Sequence, residues 1–373
     1  MTTVNPASPK SPLAPPDQKL IARTVQAGLP FRAEFTGLTP LAGDASNRRY
    51  FRVHVSGNTA CSSLILMQLA EPEAFKASEE AVSGATAAIN ELPFINILNH
   101  LAKASVAVPV LYHYDQAAGL LYLEDFGDLL LSEACAGKNR AAVQELYGDA
   151  VDALARLHLK ASTPANQGCI AFHRGFDVPL LMWEFEHFLE YGIVARQGGP
   201  MCADDATTIR AEFHKIAELL AGQRQVFTHR DYHSRNLMVR EKSVNGTRLG
   251  VLDFQDALMG PATYDLASLL RDAYIALDEP LVDDLIACYL GRMAGSMAVG
   301  TDAGKFRRLF DLTSIQRNLK AAGRFVYIDR VKHNPKFLAD IPRVLGYVRQ
   351  NLAKYPELAT LRKHLTTYVP ELQ

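Results

Sequence analysis

Several features that mark whole classes of protein are scarce in this chain. Its five cysteines are odd in number and scattered at positions 61, 135, 169, 202 and 288, with no C-x-x-C pair among the 373 residues. That argues against a disulfide framework and against a cysteine-based zinc site, and a reducing cytoplasm suits such a chain. An excess of charge of either sign is also missing, since 39 Lys and Arg stand against 40 Asp and Glu, a net charge of −1. Nucleic-acid binding by bulk positive charge, which works by releasing phosphate counterions, is therefore not expected. No apolar run approaches the ~20 residues of a membrane helix. The opening MTTVNPASPKSPLAPP lacks the apolar core of a secretory signal. Residues 1–16 read instead as a Pro-rich, extended tail. No membrane, nucleic-acid or protein partner is expected.

What is present is ordinary for a chain with an ample core: 48% hydrophobic and 21% charged residues. The length predicts two domains or one bilobal unit. A short helix is expected from about Pro16 to Ala27, then three strands within 35–69, separated by Gly43-Asp44-Ala45-Ser46 and Gly57-Asn58. Phe94, Ile97, Leu98 and Leu101 predict a helix over 93–104, and GLLYLEDFG predicts another strand ending near Gly127. This is a small sheet with one helix. Beyond it, long helices dominate: one over 140–161, another over 205–222 with Asp204 as its cap, and more from 264 onward between Pro280, Pro335, Pro342 and Pro356. The expected class is α+β, with a β-rich lobe and hinge at 17–126 and a helical lobe at 127–373.

The densest chemistry lies in VFTHRDYHSRNLMVREKSVNGTRLGVLDFQD, residues 226–256. LMVRE and RLGVLDF flank Asn245-Gly246, the strongest short hairpin signal. Asn236 begins the first arm and Asp253 closes the second, so an amide oxygen and a carboxylate arrive at one open end. Hard oxygen donors of this kind suit Mg²⁺, which keeps its other positions for water and phosphate. Asp231, on the loop entering the hairpin, reaches the same space as a base or positioning group. Catalytic Asp, metal Asn and metal Asp form the apparatus of kinase-like phosphoryl transfer. The plain alternative makes Asp231 and Asp253 turn-capping residues.

HRDYHSRN and LDFQDALMGPATYDLA resemble the aminoglycoside-phosphotransferase and choline-kinase superfamily, and the resemblance covers about residues 20–350. It implies a protein-kinase-like bilobal fold, Asp231 as catalytic base, Asn236 and Asp253 as Mg²⁺ ligands, and ATP as phosphoryl donor. It implies His229 and Asp265 as supports of the catalytic loop, although Asp265 also reads as the cap of the helix TYDLASLLRDAY. LAGDASNRRYFRV and QRNLKAAGRF are similar to one subgroup. These are bacterial anomeric kinases that phosphorylate N-acetylmuramate and N-acetylglucosamine at C1 in cell-wall recycling.

On the nucleotide side, Gly43, Asp44, Ala45, Ser46 and Asn47 stand where a kinase-like fold puts its phosphate-covering loop. Small residues there let backbone N–H groups approach phosphate, though a single glycine also fits a plain hairpin turn. The strand-three lysine of protein kinases is absent, because SSLILMQLA places Met67 and Gln68 at that point. Arg48, Arg49 and Arg52 are the candidate replacements, with Arg49 and Arg52 on opposite faces of their strand. The resemblance places adenine against the linker from Tyr122 to Phe126, including Glu124. On the acceptor side the candidates are His233 and Arg235 in the loop, Asp256, the lone Trp183 beside Glu184, and Arg317, Asn318 and Lys320 in QRNLK as partners for the lactyl carboxylate of N-acetylmuramate. Trp183 reads equally as helix-packing core, and Arg317 and Lys320 as a solvated helix face. The rivals to a sugar 1-kinase are a kinase for an aminoglycoside, choline or homoserine, and a silent nucleotide-binding protein of the same fold.

Overall fold

The computed structural model describes residues 14–41, 48–57, 61–69, 91–163, 168–244, 246–296 and 302–373. Gly43, Asp44, Ala45, Ser46, Asn47, Asn58, Asn245 and the first thirteen residues of the Pro-rich segment lie outside them. The chain divides into two compact units. Unit 1 is Met1–Ala74 with Pro109–Asp125, and unit 2 is Phe75–Val108 with Phe126–Gln373.

Unit 1 contains helix α1 (Gln18–Ala27) and strands β1 (Glu34–Pro40), β2 (Arg49–Ser56), β3 (Ser63–Gln68), β4 (Leu111–Asp115) and β5 (Leu120–Glu124). The strands form one antiparallel sheet in the order β1-β2-β3-β5-β4. Alternation along the strands decides the core. Phe51, Val53 and Val55 of β2, Leu64 and Leu66 of β3, and Leu120 and Tyr122 of β5 pack against Ile21 and Val25 of α1. The Asp17 carboxylate caps α1 by accepting from the Lys19 N–H, one of the donors a helix start leaves open.

Unit 2 holds α2 (Pro93–Lys103), α3 (Leu131–Cys135), α4 (Arg140–Ala161), α5 (Val178–His187), α6 (Ala203–Ala221), α7 (Thr263–Leu270), α8 (Glu279–Arg292), α9 (Ala303–Lys332), α10 (Ile341–Lys354) and α11 (Ala359–Tyr368). The helix expected to accompany the sheet is α2, and it belongs to unit 2. Its Phe94 ring lies 5.0 Å from Phe254, its buried Asn96 bonds Gly168 and Ile170, and His100 meets the Ala161 carbonyl at 2.8 Å. The buried polar groups on α2 find their acceptors and donors here. α6 begins at Ala203 with Cys202 at its cap, so Asp204 sits in the first turn, where a carboxylate still suits the positive helix end.

Two short antiparallel ladders complete unit 2. β6 (Gln225–Thr228) pairs with β9 (Leu258–Pro261), and β7 (Leu237–Val244) pairs with β8 (Thr247–Val251), as the hairpin signal predicts. α9 has no apolar stripe, because every residue from 309 to 319 is buried. It passes close to the π-helical turn Phe188–Ala195. A Cβ on Gly323 would stand 2.8 Å from the Phe188 Cα, so only glycine lets the two backbones approach this far.

Candidate active site

The loop between β6 and β7 carries residues 229–236, and buried carboxylates fix its backbone at both ends. Asp265, on the first turn of α7 and inaccessible to solvent, accepts from the backbone N–H of His229 at 2.7 Å and of Arg230 at 2.9 Å. Its Oδ2 also faces His158 Nε2 at 3.2 Å, and the other nitrogen of that ring meets the Tyr289 hydroxyl. Asp265 therefore supports the loop rather than capping α7, whose cap position is Ala262. Asp272 grips the far end, accepting from the N–H of Ser234 at 2.9 Å. His229 Nε2 pairs with the Leu252 carbonyl, and Tyr232 donates to the Ala150 carbonyl. These buried bonds to the loop backbone hold it in one conformation. It includes Arg230 at φ 77°, a left-handed geometry that a bulky residue adopts only when its surroundings impose it.

The three oxygen-bearing groups follow from that frame. Asn236 donates its amide to the Asp231 carbonyl at 2.9 Å, which fixes its side-chain oxygen as the opposite, available end. Its own carbonyl accepts from Leu252 N–H at 2.9 Å, so Asp253 follows directly beside it. Asp253 is exposed and has φ 60°. Its Oδ1 accepts from Gln255 at 2.8 Å, which orients the carboxylate. This donor set fits Mg²⁺, which takes one or two protein oxygens and otherwise prefers water and phosphate.

Asp231 sits half-buried in a pocket of unit 2, lined also by His233, Tyr264, Asp272, Tyr274, Arg317, Lys320 and Arg324. Burial pushes its carboxyl upward, but Lys320, His233, Arg317 and Arg230 together outweigh burial and hold it at about 2. Burial likewise pushes the His233 imidazole down, against Asp272 and Asp231.

The other sequence-predicted residues separate. His233, Arg317 and Lys320 line the pocket with Asp231. Arg235 stacks on Tyr274 with its guanidinium carbon 3.6 Å from the ring centre, and Tyr274 is the wall. Asp256 accepts from Gln255 at 3.3 Å. Trp183 stacks on His187 of its own helix. Glu184 requires a correction. It is fully buried, and its oxygens already receive Arg230 at 3.0 Å, Lys320 at 2.6 Å and Gln316 at 2.7 Å. Both oxygens are engaged by the protein's own groups, as a buried carboxylate requires, so Glu184 serves Arg230 and Lys320 from outside the pocket lining.

In unit 1, Arg52 binds the Asp125 carboxylate at 2.7 Å, beside Ser63 on the same oxygen. Arg49 shares the α1 side of β2, with its guanidinium 5.1 Å over Phe51. Met67 is fully buried, so apolar packing occupies the place a kinase lysine would take. Glu124 accepts from the Val110 N–H at 3.3 Å. In unit 2, Phe126 packs against Gly250, where a Cβ would collide with the ring, and the Arg240 guanidinium carbon lies 4.2 Å from the ring centre.

Asp272, Arg324, Tyr264, Tyr274 and His158 were not singled out from the sequence. Only Asp272 carried a signal, as a second acidic residue closing the apolar run that Asp265 opens.

The phosphotransferase enzyme family matches residues 37–299. An N-acetylmuramate/N-acetylglucosamine kinase of Pseudomonas putida is 32% identical over 332 residues, covering 87% of this chain and 86% of that protein. A kinase of the same name from Neisseria meningitidis is 31% identical over 326 residues, covering 87% and 88%. Among solved structures, a choline kinase of Cryptosporidium parvum superposes with a TM-score of 0.57 over 95% of this chain and 99% of its own, at 13% identity, which supports the kinase-like α+β fold. The chain belongs to the phosphotransferase enzyme family, and it is an enzyme of that kind.

Proposed function

We propose that the protein is an ATP- and Mg²⁺-dependent kinase acting on the anomeric hydroxyl of N-acetylmuramate and N-acetylglucosamine, in the cytoplasm, as part of peptidoglycan recycling. In this reading residues 17–126 form the nucleotide-binding lobe. The observation that carries it is the pocket holding Asp231, whose α9 wall presents Arg317, Lys320 and Arg324. Cations on that wall oppose a polycationic aminoglycoside or choline and favour a neutral or acidic sugar. The names of the relatives agree with that choice.

Asp231, held at about 2, is fully ionised at neutral pH and is too weak a base to remove an alcohol proton early. Its role is to accept a hydrogen bond from the attacking hydroxyl, aim its lone pair, and take the proton late, once bonding to phosphorus has acidified it. An anomeric hydroxyl suits so weak a base, because the ring oxygen already makes it more acidic than an ordinary sugar alcohol. Asn236 and Asp253 would hold the Mg²⁺, which when bound neutralises phosphate charge. Most of the rate enhancement then comes from positioning and fixed charge.

The test incubates the protein with Mg-ATP and a panel of free sugars and amino alcohols. A sugar 1-phosphate is acid-labile and has lost its reducing end, whereas a 6-phosphate keeps both properties of the parent. An acid-labile, non-reducing product from N-acetylmuramate or N-acetylglucosamine is expected. Turnover only with choline or an aminoglycoside would contradict the proposal.

A further inference from the structure

Arg317, Lys320 and Arg324 share one face of α9 at helical spacing and line the pocket with Asp231. Their charges are answered differently. Lys320 has Glu184 at 2.6 Å, so the protein itself supplies its counter-ion. Arg317 is only 8% exposed. Among the described residues it makes no hydrogen bond or ion pair, and its Nε is buried without an acceptor. A buried cation with no partner is unfavourable, and a guanidinium presents a planar fork that matches a carboxylate. The carboxylates nearby are otherwise engaged. Asp272 holds the Ser234 and Tyr274 N–H groups, and Asp231 must face the acceptor hydroxyl.

An acidic acceptor entering this pocket meets the negative charge of Asp231. It needs a cation whose hydrogen-bonding fork no internal carboxylate already occupies. We infer that Arg317, rather than Lys320, receives the carboxylate of the acceptor and sets the preference for the sugar acid over its neutral amino-sugar counterpart. The inference rests on the acceptor reading above, and chemically it concerns the lactyl carboxylate that N-acetylmuramate has and N-acetylglucosamine lacks.

The experiment measures kcat and KM for both sugars with saturating Mg-ATP, on full-length wild type, Arg317→Gln and Arg317→Lys. The expected result is that Arg317→Gln lowers the N-acetylmuramate to N-acetylglucosamine ratio of kcat/KM by at least about tenfold, chiefly through KM. Arg317→Lys, which keeps the charge without the fork, falls between. If the glutamine variant melts before the assay temperature, the lysine variant decides alone, by a ratio below wild type. An unchanged ratio overturns the inference. So does an equal fall in kcat for both sugars by a folded variant, because the arginine then serves the transferred phosphoryl group. Wild type that phosphorylates neither sugar overturns the acceptor reading itself, a result distinct from either.

Discussion

The loop at 229–236 and the strand β2 both carry candidate functional side chains, yet those side chains meet different fates. In the loop, the backbone is held by Asp265 and Asp272. Asp231 and Asn236 are thereby released from structural duty at their side-chain oxygens. On β2, Arg52 is itself the structural element, with Asp125 and Ser63 as its partners. A functional group is one whose neighbours do its structural work. That contrast orders the experiments, from those expected to destroy activity to those expected to barely touch it.

The largest effect belongs to Asp231→Asn. Turnover should fall about 10³-fold or more, because the acceptor hydroxyl loses both its orienting charge and its late proton acceptor. Nucleotide affinity measured by calorimetry should stay close to wild type. A variant with near-normal kcat would place Asp231 among the loop's supports.

Asp265→Ala comes next, and its effect is dual. Two backbone N–H groups and His158 lose their acceptor in a fully buried place, costing about 3 kcal/mol or more. Urea unfolding should show this, with kcat falling as residues 229 and 230 relax. A fully stable but inactive variant would instead mean that Asp265 touches substrate.

The acid side of the pH profile sharpens the comparison further. The folded Asp231 carboxyl lies near 2, below the ordinary value near ~3.9 of an unfolded chain. Its stabilising contribution is therefore present above the unfolded value and disappears as pH falls through the folded one. Activity should show no acid limb assignable to Asp231 between about pH 5 and 8, well above its folded value. A limb near pH 6 that vanishes in Asp231→Asn would contradict the account.

The smallest effect is expected from Arg52→Gln. The pair with Asp125 is largely shielded from solvent, so its loss should cost roughly 1–3 kcal/mol in stability, with little effect on activity. The KM for ATP should move less than about threefold. A hundredfold rise would move Arg52 from the structural to the functional column and break the contrast.

Legibility in the sequence followed the range of the interactions. The β7–β8 hairpin and the placement of Asn236 and Asp253 at one end of it were readable, because both depend on residues within twenty of each other and on a turn with its own signature. α4 and α1 fall close to their expected spans, and the structure adds Asn139 and Asp17 as their caps. The wall of the pocket was not. α9 is buried around its circumference, so no period marks the face that bears Arg317, and Asn318 next to it is buried and bonded to Ser314 rather than solvated. Glu184 resembled a sugar contact because a carboxylate beside a tryptophan does so in any sequence. Only three dimensions show Arg230 and Lys320 already upon it. The face of β2 carrying Arg52 could not be decided from alternation alone, and Asp125, 73 residues away, decides it.

Magnesium-nucleotide uptake offers the most direct test that Asn236 and Asp253 act together on one phosphate-bound cation. Calorimetric titration of ATP with and without Mg²⁺, into wild type and Asp253→Ala, should show metal-dependent tightening in the first and its loss in the second. Tightening of equal size in both proteins, or none in wild type, would contradict the account.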